Sequence, residues 1–149
     1  MEFSIGSPRS SASWRNSMQP EFLSVELVLH LHRMSLDRYG GADGVRDMGQ
    51  VESAVQAALF TWHYAGQDLF LTGAAYAFHI AESQAFLDGN KRTAVLAAQT
   101  FMEGNGQPPL GDELALYEAM ILIAEKRLDK RTLATLLQAL YEKASKQAR

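Results

Sequence analysis

The residues with the clearest capacity for chemistry are Gln84-Ala85-Phe86-Leu87-Asp88-Gly89-Asn90-Lys91-Arg92-Thr93. They lie between two apolar segments of helical spacing, one running into the stretch and the other out of it. A helix that starts here presents unpaired backbone N–H groups and a partial positive charge, which together attract anions. Lys91 and Arg92 add full positive charge at the same end, and Gly89 lets backbone approach a ligand closely. Asp88 supplies a hard carboxylate oxygen of the kind Mg²⁺ takes alongside phosphate oxygens and water. Together they read as a Mg²⁺–phosphate cradle. Asp-Gly-Asn before a helix is also ordinary turn-and-cap chemistry, and a Lys-Arg pair is ordinarily solvated; on composition alone that plainer reading is favoured.

The elements that must position this stretch are helical almost throughout. Ser24 is a good N-cap type ahead of VELVLHLHRMSLDRY, where Val25, Val28, Leu29, Leu31, His32 and Leu36 form an apolar face ending at Gly40 and Gly41. Gly41 to Gly49 has loop composition, and a short helix is expected from about Val51 to Phe60. Leu69 to about Gln84 is apolar on nearly every side, which places that helix inside the molecule. Thr93 to Glu103 resumes helical spacing until Gly104 and Gly106, and Leu114 to Lys126 and Thr132 to Lys146 supply two more helices after the Pro108–Pro109 turn. No alternating run reaches strand length. The expected fold class is all-α, a compact domain of about six helices with a central buried pair flanking the FLDGNKR loop.

The chain has 149 residues, 47% hydrophobic and 21% charged, which suits one globular domain and excludes wholesale disorder. Its net charge of -3 argues against nucleic-acid binding through overall charge, so no direct nucleic-acid partner is expected. Zero cysteines exclude a disulfide framework, thiolate catalysis and Cys-ligated metals. No run reaches the ~20 apolar residues needed to cross a bilayer, and no secretory signal is evident. No membrane role is expected, and the default location is the cytoplasm. Residues 1–17, rich in Ser and without periodicity, read as an artificial leader or a disordered tail ahead of a natural start at Met18, with 18–149 as the domain.

Phe86-Leu87-Asp88-Gly89-Asn90-Lys91-Arg92-Thr93 resembles the signature loop of the Fic/Doc family: His, any residue, Phe, any residue, Asp or Glu, Gly or Ala, Asn, then two residues ending in Arg. Phe22-Leu23-Ser24, Tyr39-Gly40-Gly41, Gly44-Val45-Arg46-Asp47, Glu52-Ser53-Ala54 and Phe101 to Gly106 are similar to Doc-type (death-on-curing) toxins, and Lys91 resembles that branch where adenylylating Fic enzymes tend to carry Gly. The resemblance implies that Asp88 holds Mg²⁺, that Gly89 and Asn90 present donors to a phosphate, and that Lys91 and Arg92 bind the remaining phosphate charge. Phe86 is then a buried loop anchor. The backbone from about Gly41 to Glu52 corresponds to a flap that positions a target segment by strand-like pairing. The implied reaction moves part of ATP onto a protein hydroxyl: adenylyl in most Fic enzymes, phosphoryl in Doc, onto a threonine of elongation factor Tu. An antitoxin supplying an inhibitory helix is the implied partner.

The family's catalytic His is here Gln84. A neutral amide orients a hydroxyl but does not take its proton near neutral pH, and proton removal is typically worth about 10²–10⁴-fold. Phosphoryl transfer depends less on a base than acyl transfer does, so slow turnover is compatible with this loop. His79, five positions upstream, falls on a different helical face and reads as a core histidine rather than a relocated base. His63, on an expected Thr61–Tyr64 loop, is the weaker alternative, and His30 and His32, in the first helix, are assigned no catalytic role. Glu82 either orients Gln84 or Arg92 or is merely solvated; Glu103 is expected to face water; Trp62 and Tyr64 read as a surface cluster ahead of a nucleotide-base platform. Two functions follow: a Doc-like transferase weakened by Gln84, and a catalytically silent nucleotide- or antitoxin-binding module. The Leu133–Tyr141 stripe packs either internally or against a second copy, leaving a homo-oligomer open.

Overall fold

The computed structural model describes residues 19–148, so the expectations for a leader and for a start at Met18 lie outside the described residues. Among the described residues there are six helices: α1 (Val25–Tyr39), α2 (Met48–Tyr64), α3 (Leu69–Ser83), α4 (Asn90–Gly104), α5 (Leu114–Ala124) and α6 (Lys130–Gln147). The expected all-α class with a central helix pair around the FLDGNKR loop is what forms. α3 packs against α2, α4, α5 and α6, and α4 packs against α1, α3 and α5. The reason lies in α3's side chains. Gly73, Ala74, Ala75, Ala77 and Ala81 are small and buried, so neighbouring helices approach closely from several sides.

Local signals start most of the helices. Ser24, Asp47, Asp68 and Asp129 each accept a bond from a first-turn N–H, to Leu27, Gln50, Leu71 and Thr132 respectively. Asp47 moves the start of α2 to Met48, inside the stretch expected to be loop, and the helix runs on to Tyr64. The expected Thr61–Tyr64 loop is therefore the last turn of α2, and the flap is confined to the residues before Met48. Trp62 is buried rather than at the surface, while Tyr64 is exposed and stacks on Phe60 with ring centroids 5.4 Å apart.

The chain entering α1 is fastened to the far end of the central pair. Tyr76, fully buried on α3, accepts a 2.9 Å bond at its hydroxyl from the Leu23 N–H, and burial pushes its phenol up to about 12. Asn105 brackets Glu21, accepting from its N–H at 2.6 Å and donating to its carbonyl at 3.0 Å. At the other end of the chain, Leu133, Leu137 and Tyr141 are fully buried against the core, so that stripe packs internally.

Candidate active site

The loop between α3 and α4 borders a cleft of about 630 Å³. Its wall brings together Gln84, Asp88, Gly89, Asn90, Lys91 and Arg92 of the stretch singled out from the sequence, with Tyr39, Gly41, Leu87 and Tyr117 beside them. α3 ends at Ser83, and Gln84 just after it adopts the left-handed conformation (φ 51°, ψ 50°) and turns the chain out of the helix. Phe86 then drops into the core with no exposed surface. Burying a ring of this size is worth about 1.5–3 kcal/mol in transfer alone, which fixes the middle of the loop.

Three side chains hold that anchor in register. Asn90 reaches back to Phe86, its Oδ1 accepting from the Phe86 N–H at 3.0 Å and its Nδ2 donating to the Phe86 carbonyl at 3.0 Å. His32 on α1 stacks on the Phe86 ring with centroids 3.8 Å apart and planes 8° from parallel. The same imidazole bonds through Nε2 to the Asp88 carbonyl at 2.9 Å, and because a carbonyl only accepts, Nε2 carries the proton. Ser35 donates to the His32 carbonyl and lies 3.4 Å from the Thr93 hydroxyl. Sequence reasoning gives His32 a place on the apolar face of α1 and no catalytic role. A polar ring on the otherwise apolar face of α1 is the signal that could have found it, because a buried polar group needs a partner.

The flap joins the loop through backbone. Val45 and Phe86 form an isolated antiparallel bridge, the Leu87 N–H donates to the Gly44 carbonyl at 3.0 Å, and Arg46 and Asp47 both donate to the Ala85 carbonyl. Gly44 sits at φ 141°, where a Cβ would lie 2.6 Å from Leu87 Cδ1. Gly41, at φ 124°, leaves room for Asp88, whose Oδ2 a Cβ would meet at 2.9 Å.

Asp88 is exposed, and both of its oxygens are already oriented. Oδ1 accepts from the Gly89 N–H at 2.8 Å and Oδ2 from the Ala42 N–H at 3.2 Å, and these bonds hold the carboxyl below the ordinary carboxylate range. The donors expected of Gly89 and of the Asn90 amide are thus engaged within the loop. The Thr93 N–H bonds back to the Gly89 carbonyl, and no side chain caps α4. The N–H groups left at the helix start are those of Asn90, Lys91 and Arg92, an open anion-binding turn.

Arg92 lies between two aromatic rings, its guanidinium carbon 4.0 Å from the Tyr39 centroid and 3.9 Å from that of Tyr117. Neither tyrosine stands out in the sequence as a site residue, and no local pattern joins Arg92 to Tyr117, 25 positions further on. The remaining candidates lie elsewhere. His79 is half-buried, with desolvation the main cause and Lys130 a lesser one of a lowered pKa, and it does not border the cleft. Glu82 is exposed, and Glu103 is also exposed but accepts a bond from the Tyr141 hydroxyl at 3.4 Å. His63 packs near Phe22, with centroids 6.4 Å apart.

The model of the Fic/DOC family matches residues 22–102, a span that contains α1, the flap, the loop and most of α4. The chain belongs to the Fic/DOC family. It is 31% identical over 123 residues to the protein kinase doc of Escherichia phage P1, an alignment covering 82% of this chain and 97% of that protein. Among the described residues no helix is long and apolar enough to cross a membrane.

Proposed function

We propose that this chain is a Doc-like transferase of toxin type that moves a phosphoryl group from ATP to a hydroxyl of a protein target, slowly because Gln84 stands where the family has its His. The observation that carries this reading is the convergence of Asp88, Arg92, Lys91 and the uncapped start of α4 on one cleft. The kinase name of the phage relative favours phosphoryl over adenylyl transfer as the first alternative to test. A translation factor such as elongation factor Tu as target, an antitoxin helix as inhibitory partner and a cytoplasmic location belong to the same reading.

The donor set suits a divalent cation that arrives with a nucleotide. Asp88 is ionised, exposed and oriented by two backbone bonds, and no group of three His, Asp or Glu side chains forms a protein-only metal cage among the described residues. Mg²⁺ typically binds through one or two carboxylates plus phosphate oxygens and water, and when bound it would neutralise charge developing on those oxygens. Arg92, Lys91 and the α4 N–H groups bind and orient the polyphosphate. Gln84, at the cleft edge, orients the attacking hydroxyl without accepting its proton. In the transfer the hydroxyl oxygen bonds to the γ-phosphorus, the bond from that phosphorus to the β–γ bridging oxygen breaks, ADP leaves, and the hydroxyl proton goes to water.

Gln84 is also the specific observation behind the second reading, a silent nucleotide- or antitoxin-binding module. Label transfer separates the two. The chain is incubated with Mg²⁺, bacterial lysate and ATP labelled on the α or γ phosphate, beside Arg92→Ala. A γ-labelled protein that depends on Arg92 is the expected result, and an α-labelled one replaces phosphoryl with adenylyl transfer. ATP binding with no labelled protein from either substrate sinks the transferase in favour of the silent module.

A further inference from the structure

Arg92 projects into the cleft from the first turn of α4, yet what holds it comes from two other helices. Tyr39 is the last residue of α1, and Tyr117 lies on α5. These helices do not pack on each other, so the two rings meet only across the guanidinium. Both tyrosines border the cleft, Tyr39 well exposed and Tyr117 half-buried. Among the described residues the ion pair within 4.0 Å joins Arg127 to Glu125, and no carboxylate pairs with Arg92.

That combination has a chemical consequence. A carboxylate would fix an arginine but cancel its charge and take up its donors. An aromatic face attracts the cation through the ring quadrupole and leaves the charge in place for an anion. A long side chain already seated also loses less rotamer freedom when ligand arrives, so preorganisation appears directly as affinity.

We propose that Tyr39 and Tyr117 are positioning residues for Arg92, a two-ring clamp that keeps the guanidinium seated at the cleft wall with its charge available to a phosphate of the bound nucleotide. The proposal rests on the nucleotide reading of the cleft, and it assigns to the rings, not to their hydroxyls, the control of phosphate affinity.

The test combines calorimetric titration of the full chain with ATP and Mg²⁺ and an NMR readout of the Arg92 side chain that needs no ligand. Tyr39→Leu and Tyr117→Leu are each expected to weaken ATP binding by about three- to tenfold, while Tyr39→Phe and Tyr117→Phe restore it. In an Arg92→Ala background the leucine substitutions cause no further loss. The Arg92 Nε–H and δ protons carry upfield ring-current shifts that each leucine reduces and each phenylalanine keeps. Unchanged affinity in the leucine variants, or an equal loss with Arg92 already removed, overturns the clamp. If the unsubstituted chain binds no ATP, the nucleotide reading itself falls. The Arg92 signals then decide the clamp alone: shifts lost with leucine uphold it, and shifts retained overturn it.

Discussion

Arg92 and Gln84 face the same cleft with opposite chemical competence. Arg92 is permanently charged, and a charge-assisted bond from such a group to a phosphate is worth about 1.5–3 kcal/mol. Arg92→Ala is therefore expected to weaken ATP binding about 10- to 100-fold by calorimetry while leaving the fold intact. Gln84 has no such competence, because an amide does not accept a proton at neutral pH. Its left-handed backbone is one that histidine tolerates better than most residues, so Gln84→His supplies a base without new strain. A gain in γ-label transfer of about 10²–10⁴-fold is expected, and no gain points to the silent module. At Asp88 the geometry was hidden from sequence. The carboxylate type was evident and the Gly89 bond is local to the turn, but the Ala42 bond that orients the second oxygen arises only where the flap lies against the loop.

At the scale of elements, the loop is built from three supports: the Phe86 anchor, the Asn90 bracket and the His32 prop. Asn90→Ala removes both bonds to the Phe86 peptide groups and should cost about 2 kcal/mol, which for a domain of this size lowers the melting temperature by about 6 °C. His32→Leu should cost comparably, since it leaves the Asp88 carbonyl without its partner and loosens the turn that aims the carboxylate. Its diagnostic is a loss of ATP affinity beside the thermal shift; a thermal shift alone would confine His32 to packing. Gly44→Ala should free the flap, because its Cβ collides with Leu87 at a backbone angle that alanine rarely adopts. Faster proteolysis within residues 40–47 is the expected readout. Helix interiors were legible from periodicity, but the α2 start was not: Asp47 caps a turn containing Gly49, which as bare composition reads as loop.

At the scale of the whole molecule, stability comes from the packing of α3 within the other helices, and His79 gives its pH dependence a signature just below neutrality. His79 on α3 is held below its ordinary value mainly by desolvation. Its neutral form is favoured in the fold, so its contribution is present above the unfolded value of 6.5 and is lost as pH falls through the lower folded value. Melting temperature should therefore decline as pH drops below about 6.5, and His79→Gln should flatten that decline. Unchanged pH dependence in the variant would remove His79 as its source.

The amino-acid sequence by itself determined the helical class, the buried central pair and the stretch that lines the cleft, because periodicity, small-residue composition and motif spacing are local properties. Tertiary structure alone decided what those residues are attached to. His32 lies 56 residues from the Asp88 carbonyl it supports, and Tyr39 and Tyr117 reach Arg92 from helices that do not touch each other. Such partnerships depend on how helices cross, and no spacing within a single segment encodes the angle at which another arrives.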